Sequence, residues 1–319
     1  VDAICSQAKT IQHTSNYYYT KVQADFANKL CDATGYSKMF FGNSGAEANE
    51  CAIKLARKYS FDKYGKEAER NIIITLVNSF HGRTMTTLSA TGQDVFHNYF
   101  FPFTPGFINV EANNIQDLKD KLNEYDGKIC AVMFEFVQGE GGVIPLTQDF
   151  VNAVFDECES RDILTIGDEV QTGIGRTGKL LASEHYGKRP NVTTLAKGLA
   201  GGVPIGACLA DEKCCDVLSK GTHGSTFGGN PISCAGGNAV LNKVTKPEFL
   251  DEVMKKSEYF KEKLLEIPEV DGIDGLGLMI GVRLKTKNAS DICKACLDNG
   301  LLVLTAKTKL RFLPPLTMD

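Results

Sequence analysis

The chain is poor in features that would tie it to a membrane, a nucleic acid or a disulfide framework. No apolar run approaches the length of a membrane span, and no charged start followed by an apolar stretch marks a secretory leader. Among 319 residues the net charge is −4, so no basic surplus points to nucleic acid or an anionic membrane as partner. The eleven cysteines are odd in number and lack regular spacing. They read as reduced thiols, which sets the expectation of a cytoplasmic protein. Cys293 and Cys296 make a lone C-x-x-C without a second pair, Cys214 and Cys215 are merely adjacent, and the five histidines show no i, i+4 spacing. No metal is expected. Repeats and low-complexity linkers are also missing. What remains, 43% hydrophobic and 23% charged, is the composition of a globular protein with a large core.

The most informative stretch is Asn191–Ala207, where Lys197 is the one cation among apolar residues and glycines. A lysine with apolar neighbours loses hydration, which favours the neutral amine that Schiff-base chemistry requires. A surface lysine in a glycine-rich turn is the plain alternative, so other stretches must point the same way. Gly42–Glu50 follows a short apolar strand at 39–41 and opens a helix with apolar residues at 48, 51, 52, 55, 56 and 59. Ser44 and Gly45 at its start offer either a simple cap or an anion site suited to phosphate. Ser79–Thr84 follows a β-rich run at 71–77 and carries Phe80 and Arg83, which read equally as core and surface residues or as ligand contacts. A strand at 130–136 ends near Glu135 and Glu140, and another at 163–167 delivers Asp168 and Gln171. An acid at a strand's C-terminal end is a helix cap or a ligand residue, and its position favours the ligand reading. Gly173–Gly178 matches G-x-G-x-x-G, but the preceding strand already ends in acids and no strand with a terminal acid follows at the required distance, so it is discounted as a dinucleotide site. The loop 222–231 holds hydroxyls and glycines before a helix at 231–244 and is either a turn or a further phosphate contact.

Alternating strands and helices predict an α/β fold with a mostly parallel sheet covered by helices on both faces. Beyond Pro247 the pattern changes to a long charged helix through Leu265, strands near 276–284, a helix at 289–299 and strands at 301–304 and 310–313. This predicts a large domain over 1–244 and a smaller α+β domain over 245–319. Because Val1 to Ile11 reads as helix from the first residue, with no initiator Met, an N-terminal segment is expected ahead of Val1, and the C-terminus is expected to be short.

An amine nucleophile, an acid at a strand end, a phosphate-ready helix start, an aromatic that can stack and arginines for carboxylates form the set a pyridoxal phosphate enzyme needs. The sequence resembles the class III, ornithine-type aminotransferases of the fold type I group, most closely the acetylornithine aminotransferases. The resemblance runs from about Gln12 to Leu316 and rests on the strings at 43–50, 79–84, 135–142, 168–178, 194–198 and 224–231. It implies that Lys197 is the Schiff-base lysine and proton shuttle, with Asp168 on the pyridine nitrogen of pyridoxal 5'-phosphate, Gln171 on the ring hydroxyl and Phe80 stacked on the ring. Ser44, Gly45 and Ala46 would hold the phosphate, completed by Thr226 from a neighbouring subunit, which implies a homodimer. Arg83 and Ser225 would bind N2-acetylornithine, Arg311 would bind 2-oxoglutarate, and Glu140 would cover Arg311 while the diamine is bound. The implied reaction is the transamination of arginine biosynthesis. Ornithine, 4-aminobutyrate or succinyl-diaminopimelate could be the donor instead, and an aminomutase, a nicotinamide-dependent oxidoreductase or a non-catalytic binding protein stand as further alternatives.

Overall fold

The computed structural model describes all residues from Val1 to Asp319. Helices α1 (Asp2–Ala8) and α2 (Lys21–Thr34) lead into β1 (Lys38–Gly42), followed by α3 (Gly45–Tyr64), β2 (Ile72–Leu76), α4 (Met85–Ala90) and β3 (Phe107–Val110). Then come α5 (Ile115–Glu124), β4 (Ile129–Phe134), the short pair β5 (Val137–Gln138) and β6 (Ile144–Pro145), α6 (Gln148–Ser160) and β7 (Leu164–Asp168). The large sheet ends with β8 (Val192–Leu195) and β9 (Gly206–Ala210). After α7 (Pro231–Val244) and α8 (Pro247–Leu265), a second unit comprises β10 (Val270–Leu276), β11 (Met279–Leu284), α9 (Ala289–Asp298), β12 (Leu304–Ala306) and β13 (Lys309–Phe312). No helix is long and apolar enough to cross a membrane.

Seven strands form one sheet in the order β1-β9-β8-β7-β4-β2-β3. Only β9 runs against its neighbours, so β1, β2, β4, β7 and β8 all deliver their C-terminal ends to the same edge. Every residue of β4 and β7 is buried, as expected for parallel strands covered on both faces. Alternate side chains build the two layers. Ile73, Ala131, Met133, Leu164 and Ile166 meet Ala52, Leu55 and Ala56 of α3 on one face, while Ile74, Leu76, Val132 and Phe134 meet α5 and α6 on the other. The fold class is the one expected from the sequence. The smaller sheet is antiparallel, β10-β11-β13-β12, over its own core centred on Leu278, Ile280 and Val282.

Several short elements depart from the sequence reading. α4, β3 and the β5–β6 pair were not expected; six-residue α4 is too short to show a helical period, and β3 follows an aromatic and proline stretch without alternation. The small sheet begins at Val270 rather than near 276. The strand expected at 301–304 instead spans Leu304–Ala306, because pairing runs Leu304↔Arg311 through Ala306↔Lys309 around a turn where Lys307 has φ 55°. Leu301 and Leu302 are exposed and outside the sheet.

The start of α3 is pressed onto the sheet. A Cβ on Gly206 would lie 2.1 Å from the Ser44 carbonyl oxygen, so only glycine lets β9 pass under that turn. Gly206→Ala should therefore lower stability by about 2–4 kcal/mol, read as a lower midpoint in denaturant unfolding, and an unchanged midpoint would contradict this packing.

Candidate functional site

The edge where the parallel strands end opens into a cavity of about 410 Å³, lined by residues from β1–α3, the 80–83 loop, Glu135, Asp168–Gln171 and the 196–205 segment. Ser44 caps α3, its Oγ accepting from Glu47 N at 3.2 Å, while Glu47 Oε2 accepts from Asn43 N at 2.6 Å and from Asn43 Nδ2 at 2.8 Å. These contacts satisfy Glu47 N and Asn43 N and leave the Gly45 and Ala46 N–H groups at the cavity wall, where the helix dipole favours an anion. A Cβ at Gly45 would sit 2.7 Å from Val170 Cγ1, so the wall closes only around glycine.

Asp168, buried on the cavity floor, accepts from Asn49 Nδ2 at 2.8 Å and from Val170 N at 3.0 Å. Its Oδ2 also lies 2.8 Å from His81 Nδ1. A carboxylate already accepting twice requires a donor from the histidine, which places an N–H on Nδ1. Asn49 is itself fixed, accepting from Thr194 Oγ1 at 2.7 Å and donating to the His81 carbonyl at 2.7 Å. Three donors around one buried carboxylate replace the water it loses on burial.

Beside it stands a second buried acid. Glu135 accepts from Phe80 N at 3.1 Å and from Gly139 N at 3.4 Å. Burial pushes its carboxyl up to about 7, with His81 partly offsetting and the Asp168 charge reinforcing the rise.

The other expected residues fall in three places. Phe80, Arg83, Gln171 and Lys197 line the cavity with Ser44, Gly45, Ala46 and Asp168, and the buried Gln171 Oε1 has no hydrogen-bond partner. Glu140 and Arg311 lie outside that lining but pair with each other at 2.7 Å, Arg311 being buried on β13. Ser225 and Thr226 lie on the 222–230 loop, also outside the lining; Thr226 is exposed, and Ser225 Oγ accepts from Asn43 Nδ2 at 3.3 Å.

One expectation fails. Lys197 is not shielded by its apolar neighbours: Leu195, Leu199 and Ala200 turn into the core, whereas Lys197, with φ 46°, is exposed at the cavity. Its positive φ is backbone strain at the cavity lining. Gly173–Gly178 forms turns packed on Leu195 and Met254 rather than the start of a nucleotide-binding helix.

Asn49, His81 and Glu135 were not singled out as site residues. Asn49 carried a legible signal, a polar residue between Ala48 and Ala52 on the apolar face of α3, where burial demands partners. His81 and Glu135 stood inside strings chosen for their neighbours.

All 319 residues match the family model described as Aminotransferase class-III. The acetylornithine aminotransferase of Haemophilus ducreyi is 53% identical over 320 residues, covering 100% of this chain and 80% of that protein. Among solved structures, the ornithine aminotransferase of Toxoplasma gondii ME49 superposes with TM-score 0.93 at 32% identity, covering 100% of this chain and 77% of that one. The N-acetylornithine aminotransferase of Stenotrophomonas maltophilia K279a gives 0.85 at 33%, with 100% and 80% covered. The chain belongs to the class-III aminotransferases.

A raised folded-state pKa leaves a trace in stability. An unfolded glutamate titrates near ~4.3, so between there and about 7 the folded chain keeps on Glu135 a proton that the unfolded chain has released. Stability contributed by that proton is lost as pH rises through this window. Glu135→Gln removes the titration, so the melting temperature of the variant minus that of the parent should grow from about pH 5 to about pH 8. A difference that stays flat or shrinks would contradict the raised value.

Proposed function

We propose that the chain transfers the terminal amino group of N2-acetylornithine to 2-oxoglutarate, using pyridoxal 5'-phosphate, in the arginine-biosynthetic direction. The observation carrying this reading is the cavity that unites the triply hydrogen-bonded Asp168, the free N–H groups of Gly45 and Ala46, the Phe80 ring and Lys197. Those residues fit the cofactor in charge and in shape: an anion site at a helix start, a buried carboxylate, and a partnerless Gln171 amide oxygen three residues beyond that carboxylate. The 53% identity to an acetylornithine aminotransferase supports the donor. The likeness to an ornithine aminotransferase structure favours ornithine as a second reading.

When bound, pyridoxal phosphate supplies an electron sink for charge developing at the amino-bearing carbon. Asp168, fixed by its contacts to Asn49, His81 and the Val170 amide, would face the pyridine nitrogen and hold a proton there. Gly45 and Ala46 N–H groups would bind the phosphate, Phe80 would pack on the ring, and Gln171 would contact the ring hydroxyl. Lys197 Nζ takes up and returns the proton of the donor carbon. Arg83, with Ser225 nearby, binds the donor carboxylate, while the Glu140–Arg311 pair neutralises the cation that would otherwise face the diamine. The α-carboxylate of 2-oxoglutarate takes Glu140's place on Arg311, a planar match that arginine makes bidentately.

The working unit in this reading is a homodimer in which Thr226 reaches the partner's phosphate site. Thr226 is exposed and outside its own chain's cavity lining. Its loop shares a surface with the exposed Tyr17–Tyr19 segment, since Asn16 Nδ2 donates to the carbonyls of Ser225 at 2.8 Å and Gly228 at 2.9 Å. Exposed aromatics of this extent favour a protein partner over water. Residues 1–244 and 245–319 act as large and small domains, a division supported by the separate core of the smaller sheet. Eleven unpaired cysteines support the cytoplasm.

Assayed with cofactor and 2-oxoglutarate, the protein should show kcat/KM for N2-acetylornithine at least about tenfold above ornithine, 4-aminobutyrate and succinyl-diaminopimelate. Lys197→Ala should lower turnover by about 10³-fold or more. Mixing that inactive variant with Thr226→Ala should restore activity, because one of the two hybrid sites is then intact. A better donor among the three alternatives moves the substrate, an active Lys197→Ala overturns the mechanism, and hybrids without recovery overturn the shared site.

A further inference from the structure

Eight arginines occur in the chain, and seven of them donate hydrogen bonds within it. The eighth, Arg83, has no hydrogen bond or ion pair and stands exposed where it lines the cavity. Its contacts are aromatic. The guanidinium carbon lies 4.5 Å from the Phe96 ring centroid and 5.7 Å from that of Phe80, and the two rings meet edge to face at 5.6 Å.

We propose that Phe96 is a positioning residue that fixes the Arg83 guanidinium over its ring and so sets specificity for donors carrying an α-carboxylate. This rests on the reading of Arg83 as the carboxylate binder. An aromatic face attracts the cation without consuming its N–H donors, which lie in the guanidinium plane and remain free for a bidentate carboxylate. A hydrogen-bonding partner at that point would compete with substrate, and no partner at all would leave a long flexible side chain to be ordered on binding. Phe96 avoids both.

The ring is well anchored for this task. Phe96 ends a short 3-10 turn, its N–H donating to the Gln93 carbonyl at 3.1 Å. Buried Gln93 donates from Nε2 to the Ser79 carbonyl at 3.0 Å, and Gly92 N donates to Ser79 Oγ at 3.1 Å. Asn78 N donates to the Gly92 carbonyl at 2.7 Å. The segment bearing Phe96 is therefore fastened to the segment bearing Phe80 and Arg83.

The test uses the cofactor-loaded enzyme with Phe96→Leu, Phe96→Tyr and Arg83→Ala. Two donors are compared: N2-acetylornithine, and N-acetyl-1,4-diaminobutane, which is the same molecule without its carboxylate. Phe96→Leu should raise KM for N2-acetylornithine roughly tenfold while kcat stays within about twofold, and should leave kcat/KM for N-acetyl-1,4-diaminobutane unchanged. Phe96→Tyr should behave as the parent. The dissociation constant of N-acetylnorvaline, which keeps the carboxylate but has no amino group to transfer, should rise by the same factor in calorimetry. Equal losses on both donors, or no loss on either, overturn the proposal. If Arg83→Ala lowers the preference for the carboxylate donor and Phe96→Leu does not, Phe96 alone is misassigned. If Arg83→Ala also leaves the preference intact, the reading of Arg83 falls with it.

Discussion

The site depends on one buried carboxylate. Placing an ionised aspartate away from water costs several kcal/mol unless donors replace its hydration, and Asp168 obtains three, from Asn49, His81 and the Val170 amide. Those donors come from α3, from the loop after β2 and from the turn after β7, so satisfying one charge fixes three segments relative to one another. Thr194 on β8 extends the network by holding Asn49. The side chains that face the cavity are thus positioned by the electrostatics of its floor.

Sheet topology brings those segments within reach. Six parallel strands end on one edge, and five of the endings supply a part: β1 leads to the α3 start, β2 to Phe80 and Arg83, β4 to Glu135, β7 to Asp168 and Gln171, and β8 to Lys197. In open α/β sheets this edge is where ligands bind. Close packing sharpens the arrangement, with Gly206 under Ser44 and Gly45 against Val170 holding the helix start to the wall. Glu135 adds a second acid next to the first, its carboxyl pushed up to about 7 chiefly by burial, with the Asp168 charge adding to the rise.

Much of this was legible in the sequence because strand ends and helix starts have local signatures. The Gly42–Glu50 string announces a capped helix, α7 and α8 begin at prolines, and Asp168 stands where an apolar strand stops. Lys197 was found for a reason that does not hold: the apolar character of its stretch belongs to Leu195, Leu199 and Ala200, and a backbone turn with positive φ sends the lysine the other way. Asn49 and His81 escaped notice, and Glu135 read only as one of two acids near a strand end, because their importance comes from partners 32 to 119 residues distant. Phe96 reads in sequence as one aromatic among several, and only its distance to Arg83 distinguishes it. Short elements such as α4 and β3 are set by tertiary contacts rather than by periodicity.

The most direct measurement is a titration of the purified protein and its Asp168→Asn variant with pyridoxal phosphate, followed by visible absorption before and after N2-acetylornithine. The substitution keeps the shape of the side chain and removes its charge. The parent should turn yellow and be bleached by the donor, while the variant should bind about 30-fold more weakly and bleach far more slowly. A variant that titrates and bleaches like the parent would contradict the central role given to the Asp168 carboxylate.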